Sequence, residues 1–208
     1  MDLVSLCLYG CSPALREDRD IFRLYDMKNS EKLDKIKVIA MDCDGTLTDG
    51  KMVFLGSEQM KFFNAQDGLG ITIARKCGFI IVWVTGSSTP AIMARGKMLG
   101  VHDILDGCAN KADAMDVICE KYNVSCDEIA YIGDDLNDTP ALKKAGFGAV
   151  TVNGVKEAKD LADYVTERHG GEGAVREVIE LILKAQNKWE DVVNNFENYT
   201  FAQKKIVQ

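Results

Sequence analysis

The chain has 208 residues and a mass of 22.9 kDa, with 25 Lys+Arg against 32 Asp+Glu, a net charge of −7 and a pI near 4.9. That length is one domain with short extensions, and 47% hydrophobic with 27% charged residues excludes wholesale disorder. The acid excess argues against a nucleic-acid binder, which needs clustered Lys and Arg, and no apolar run approaches the ~20 residues of a membrane span.

In chain order, the N-terminal MDLVSLCLYGCSPA carries Asp2 as its first charge and no basic stretch, so it is read as no secretory signal. Residues 1–32 are poorly patterned and are taken as an extension. From residue 37 short β-rich runs alternate with helical patterns. Strands are predicted at 37–42 (KVIAMD), 79–84 (FIIVWV), 102–105, 127–132, 147–152 and 164–166. Helices are predicted at 68–77, 90–99, 111–122, 138–145, 156–162 and 173–186, the last with Val175, Val178, Ile179 and Ile182 on one stripe. Between the first strand and first helix, 52–55 and 60–63 form a predicted hairpin. Non-alternating apolar strands separated by helices mean an α/β fold with a mostly parallel sheet and helices on both faces. The domain is expected over 33–186, followed by a tail at 187–208 with Trp189, Phe196, Tyr199 and Phe201. The seven cysteines are scattered without a C-x-x-C pair, which gives no zinc or redox pattern and suits small core residues in a reducing cytoplasm.

Open parallel sheets bind ligands at the carboxyl ends of their strands. Four polar sets fall at or just beyond such ends: Asp42-Cys43-Asp44-Gly45-Thr46, Thr85-Gly86, Lys111, and Gly133-Asp134-Asp135-Leu136-Asn137-Asp138. Carboxylates gathered at one sheet edge repel unless a cation sits among them. All-oxygen ligands favour a hard ion, with Mg²⁺ the expected one because it also binds phosphate oxygens. Such an ion beside Lys111 and the Thr85 hydroxyl makes a pocket for a phosphoryl group. One carboxylate can attack phosphorus, and a second two residues on can protonate the leaving oxygen and then activate water. A turn and a helix N-cap would explain the acidic runs singly, but not four motifs in register.

The set D-x-D-G-T, Thr, Lys and G-D-D-x-x-D resembles the haloacid dehalogenase-like superfamily. The resemblance implies a Rossmann-like fold with Asp42 as nucleophile and Asp44 as general acid and base. It implies that Thr85 and Lys111 hold the phosphoryl group. Mg²⁺ would be bound by Asp42, the Asp44 carbonyl and Asp134, supported by Asp135 and Asp138. Asp at position 44 resembles a phosphatase or mutase. Only 40 residues separate Asp44 from Thr85 and 25 separate Thr85 from Lys111. Neither gap holds a cap domain, so the cover over the site is expected from another subunit.

Across about 37–186 the segments MDCDGTLTDG, KFFNAQDGLGI, VTG, NK, YIGDDLND, ADYVT and GGEGAVRE are similar to capless phosphatases of acidic sugar phosphates. That group acts on 3-deoxy-D-manno-octulosonate 8-phosphate or 2-keto-3-deoxynononate 9-phosphate, and related cytidylyltransferase domains are non-catalytic. The resemblance implies a homotetramer assembled through the hairpin; the acid excess and the lack of a long apolar run give the expectation of no nucleic-acid and no membrane partner. It also implies substrate contacts from Asn64, Gln66, Asp67, Gly68, Gly86, Ser87, Arg95, Lys111 and Glu172. The chain departs from the pattern at Gln66, Thr72 and Ser87, where Arg is usual. None of the three can copy the bidentate fork that Arg offers a carboxylate. The run Gly170-Gly171-Glu172-Gly173 reads equally as an anion cradle at a helix N-terminus and as a plain loop. His102 and His169 read as structural or exposed.

Overall fold

A computed structural model describes residues 29–199. Residues 1–28 and 200–208 of the expected extension and tail, with Cys7, Cys11 and Phe201, lie outside the described residues.

Six strands form one parallel sheet: β1 (Val38–Met41), β4 (Ile80–Val84), β5 (Asp103–Leu105), β6 (Ile129–Gly133), β7 (Phe147–Val150) and β8 (Tyr164–Val165). Their order is β5-β4-β1-β6-β7-β8, with β1 paired to β4 and β6 on its two sides. Six helices follow the strands in turn: α1 (Ala65–Lys76), α2 (Pro90–Leu99), α3 (Lys111–Tyr122), α4 (Thr139–Lys144), α5 (Lys156–Lys159) and α6 (Ala174–Ala185).

The period-2 geometry of strands explains why these runs are apolar throughout. Ile39, Met41, Ile81, Trp83, Ala130 and Ile132 pack against side chains of α1, α2 and α6. Their alternates Val38, Ala40, Val82, Val84, Ile129 and Tyr131 pack against α3, α4 and α5. Both faces are covered, so no strand has a polar side. The predicted stripe Val175, Val178, Ile179 and Ile182 on α6 is buried.

The hairpin is present, with its second strand displaced from expectation. β2 (Val53–Leu55) pairs antiparallel with β3 (Glu58–Met60), Leu55 opposite Glu58. Gly56 at φ +62° starts a two-residue turn, which brings the return strand forward to 58–60 rather than 60–63. The chain then runs back to the sheet, where Phe63 stacks on Trp83 at 6.1 Å between centroids. Among the described residues only the hairpin and α1 separate β1 from β4, and only α2 and β5 separate β4 from α3. No cap domain is evident there.

Packing extends past the expected edges. Helix α7 (Trp189–Asn194) buries Val192 against the core, and Arg176 lies 5.2 Å over the Trp189 ring. A helical turn at 29–33 buries Leu33, and Gln186 Nε2 donates to the carbonyls of Leu33 and Ile36 at 2.9 Å each. Of the described cysteines, Cys43 is buried and Cys77, Cys108, Cys119 and Cys126 are half-buried. The His102 Nδ1 accepts the Ile81 N–H at 3.1 Å, a structural role beside β5. No helix among the described residues is long and apolar enough to cross a membrane.

Candidate active site

The strand order makes β1 the point where connections diverge, to β4 on one side and β6 on the other. That switch opens a crevice at the carboxyl ends of the strands. Asp42 follows β1, Thr85 follows β4 and Asp134 follows β6. Lys111 enters at the first turn of α3, whose Asn110 N-cap accepts the Ala112 N–H at 3.1 Å.

Lys111 is fully buried. Its Nζ lies 2.7 Å from Asp42 Oδ1 and 2.6 Å from Asp138 Oδ1. Asp138 is also buried, and four donors converge on it. Lys111 and the Tyr131 hydroxyl reach Oδ1, the latter at 2.7 Å. The N–H groups of Asp134 and Asp135 reach Oδ2 at 2.8 and 3.0 Å. Asp134 Oδ1 accepts the Thr46 hydroxyl at 3.1 Å. Asp42, Asp134 and Asp138 each offer an oxygen within 4.8 Å of the others. Because both Asp138 oxygens are engaged by protein donors, Asp42 and Asp134 are the carboxylates with capacity left for a cation. An all-oxygen set of this kind fits a hard divalent ion.

The electrostatics follow from this crowding. Burial pushes the Asp134 carboxyl up to about 8, and the Asp42 and Asp138 charges add to it. Burial also raises Asp42, against the pull of Lys111. Burial works to discharge Lys111, but Asp42 and Asp138 raise it above the usual lysine value. One ammonium among three carboxylates leaves the cluster short of positive charge.

Thr85 is buried, and its hydroxyl accepts the Ser87 N–H and lies 3.2 Å from the Ser87 carbonyl. Asp44 forms an ion pair with Lys61, whose side chain is fully buried. Asp135 is exposed, its Oδ1 accepting the Leu136 N–H at 2.7 Å. The loop before α6 packs directly on the first motif. A Cβ on Gly170 would stand 1.7 Å from the Gly45 carbonyl oxygen, so only glycine fits there.

The expected substrate contacts gather around the N-terminus of α1. Asn64 is its N-cap, with Oδ1 accepting the Gln66 N–H at 2.7 Å. Asp67 is buried and raised to about 6 by that burial; its oxygens accept the N–H groups of Gly173 at 3.2 Å and Arg176 at 2.8 Å. Arg95 lies across Gly68, where a Cβ would stand 2.2 Å from its Nη2, and 5.9 Å from the Phe63 ring centroid. Thr72 is buried, its hydroxyl donating to the Gly68 carbonyl at 3.0 Å, so this departure faces the helix interior. Gly86 is exposed and Ser87 half-buried beside Thr85, and Glu172 sits near the charge of Lys51.

Sequence reasoning missed Lys61, Tyr131, Thr46 and Arg168. Lys61, Thr46 and Tyr131 stand inside motifs already singled out. Tyr131 reads as an ordinary strand aromatic, and Arg168 as part of a loop.

Comparison with known proteins places this arrangement. Residues 87–179 match the haloacid dehalogenase-like hydrolase family. The chain is 35% identical to the 3-deoxy-D-manno-octulosonate 8-phosphate phosphatase of Escherichia coli K12, over 77% of this chain and 86% of that protein. The chain belongs to the haloacid dehalogenase-like hydrolases. Like that relative, it is a phosphatase. The Moraxella catarrhalis octulosonate phosphatase, solved with magnesium, phosphate and KDO, superposes with a TM-score of 0.80 at 39% identity, covering 81% of this chain and 98% of that one. The cobalt-bound Haemophilus influenzae phosphatase gives 0.77 at 31% identity, covering 81% and 98%.

These carboxyl shifts set a pH dependence. Without a divalent ion, the fold holds protons on Asp67 and Asp134 that the unfolded chain releases near pH 4. The folded state therefore binds more protons, and stability falls as pH rises from about 4 through 6 to 8. In EDTA the melting temperature should drop between pH 5 and 8 by on the order of 5–10 °C. Mg²⁺ should raise it most at pH 8. A flat or rising profile in EDTA would contradict the assignment.

Proposed function

We propose that this phosphatase hydrolyses 3-deoxy-D-manno-octulosonate 8-phosphate, with Mg²⁺ as its cofactor. The observation that carries the reading is the buried Asp42–Lys111–Asp138 relay beside Asp134 at the sheet's switch point. Asp42 and Asp134, with the Asp44 carbonyl, would hold the ion. When bound, it supplies positive charge to the phosphoryl oxygens and offsets the repulsion among the carboxylates. Lys111 and the Thr85 hydroxyl orient the phosphoryl group. Asp42 attacks phosphorus, the P–O bond to the sugar breaks, and Asp44 gives the leaving oxygen its proton. Water, deprotonated by Asp44, then releases phosphate from the aspartyl-phosphate and regenerates Asp42. Asp138 holds Lys111 in place, and Lys61 fixes the Asp44 carboxylate.

The test is phosphate release from a panel of sugar-acid and neutral sugar phosphates with Mg²⁺ and with EDTA. The octulosonate 8-phosphate should give the highest kcat/KM, and EDTA should abolish turnover. Gln66 and Ser87 stand where the octulosonate pattern has Arg, so the panel includes 2-keto-3-deoxynononate 9-phosphate as a second reading. Equal turnover of neutral sugar phosphates would overturn both.

The hairpin supports a homotetramer. Phe54 and Leu55 are 63% and 71% exposed, with Met52, Met60 and Phe62 also exposed, an apolar patch that a lone subunit leaves in water. Wild type should sediment as a tetramer. Phe54→Glu with Leu55→Glu should yield smaller species, with lower kcat/KM because the open site loses its cover. A tetramer that survives the double substitution would remove the hairpin from the interface.

A further inference from the structure

The proposed substrate carries its ester and its carboxylate at opposite ends, and so needs two separate cationic contacts. Lys111 answers the phosphoryl end. We infer that Arg168 is the group that binds the substrate carboxylate, an assignment that rests on the sugar-acid phosphatase reading above.

Arg168 stands in the loop that joins β8 to α6, exposed at the N-terminus of α1. Its main chain is fixed on both sides. The Arg168 N–H donates to the Glu177 carboxylate at 3.0 Å, and its carbonyl accepts the Thr166 hydroxyl at 2.6 Å. That hydroxyl in turn accepts the Val152 N–H at 3.1 Å. The guanidinium lies against Gly173, where a Cβ would stand 2.8 Å from Nη1 and 3.1 Å from Cδ. Nη1 donates to Gln66 Oε1 at 2.8 Å.

That acceptor is a neutral amide. Among the described residues Arg168 makes no ion pair within 4.0 Å. A guanidinium has five donors in a rigid fork. The buried Asp67 carboxyl feels its charge but makes no close ion pair with it; an anchored fork of this kind, on the loop that packs against Gly45 of the first motif, is suited to take a bidentate carboxylate from a ligand.

Gln66 gains a meaning in this arrangement. The amide at position 66 cannot pair a carboxylate itself, but it holds the Arg168 guanidinium over the same turn of α1. A charge carried on one segment is replaced by a charge reaching in from another, 102 residues away. Arg95, by contrast, is half-buried across Gly68, and its Nη2 donates to the Asn64 carbonyl at 3.5 Å.

The experiment compares octulosonate 8-phosphate with a neutral sugar phosphate of similar length, in wild type, Arg168→Gln, Arg168→Lys and Gln66→Arg/Arg168→Gln. Arg168→Gln should lower kcat/KM for the acid substrate about 10–100-fold, mostly through KM, and collapse the preference over the neutral substrate. The free sugar acid should inhibit this variant more weakly by a similar factor. Arg168→Lys should recover part of the preference, as a point charge does. Gln66→Arg should restore much of it by returning a fork to the same place. If both substrates lose the same factor, or the preference survives Arg168→Gln, the assignment is overturned while the functional reading stands. If wild type shows no preference for the acid substrate, both fall.

Discussion

Asp42→Asn should lower phosphate release by roughly 10⁴-fold or more while leaving the fold intact, as expected for loss of a covalent nucleophile. The amide matches the carboxylate in shape, so the buried pocket at the end of β1 is not emptied. It cannot attack phosphorus, and rapid-quench labelling that traps an aspartyl-phosphate in wild type should trap none in the variant. Lys111 keeps Asp138 at 2.6 Å. Stability gives an independent sign. Asp42 is a buried carboxyl whose ionised form is disfavoured in the cluster, so its removal should raise the melting temperature of the metal-free protein at pH 8 more than at pH 5. Turnover within a few-fold of wild type would move the nucleophile elsewhere.

Lys111→Met should be the most destabilising of the site substitutions. It removes the only ammonium among the described residues that touches Asp42 and Asp138, both buried. Taking one partner from a buried ion pair costs about 3–5 kcal/mol, because the remaining charge is left uncompensated. For a chain this size that is a fall of about 10 °C in melting temperature. The loss should be larger at pH 8 than at pH 5, since at low pH the stranded carboxyls can protonate. Adding Asp138→Asn to Lys111→Met should restore part of the stability but not the activity, because the phosphoryl group still lacks its cation. A double variant as unstable as the single one would show that lost packing of the lysine stem dominates, measured by thermal unfolding at both pH values.

How much of this was legible beforehand varies by residue. Asp42, Thr85 and Asp134 stand where strands end, and strand ends are marked by a change from β-branched runs to polar turns. The apolar stripe on α6 and the two-faced strands were likewise readable from period. The difference between Asp135 and Asp138 was not. Both are acidic residues of one short run, and only the 3₁₀ turn at Leu136–Asp138 points one carboxylate outward to cap the turn and the other inward to Lys111. The second hairpin strand was misplaced by two residues, because the position of Gly56 in the turn outweighs the apolar pattern after it.

By itself, then, the sequence determined the α/β architecture, the four motifs and the acidic character of the site, since each depends on neighbours a few residues apart. Only the tertiary structure decided that Lys61 pairs with Asp44, that Tyr131 and Lys111 share one oxygen of Asp138, and that Arg168 rests on Gln66. Those contacts join different elements, from 7 to 102 residues apart, and a long side chain's reach depends on how its own element packs. The physical reason is the same in each case: hydrogen-bonded periodicity is local, whereas charge placement is set by the packing of the whole sheet and its helices.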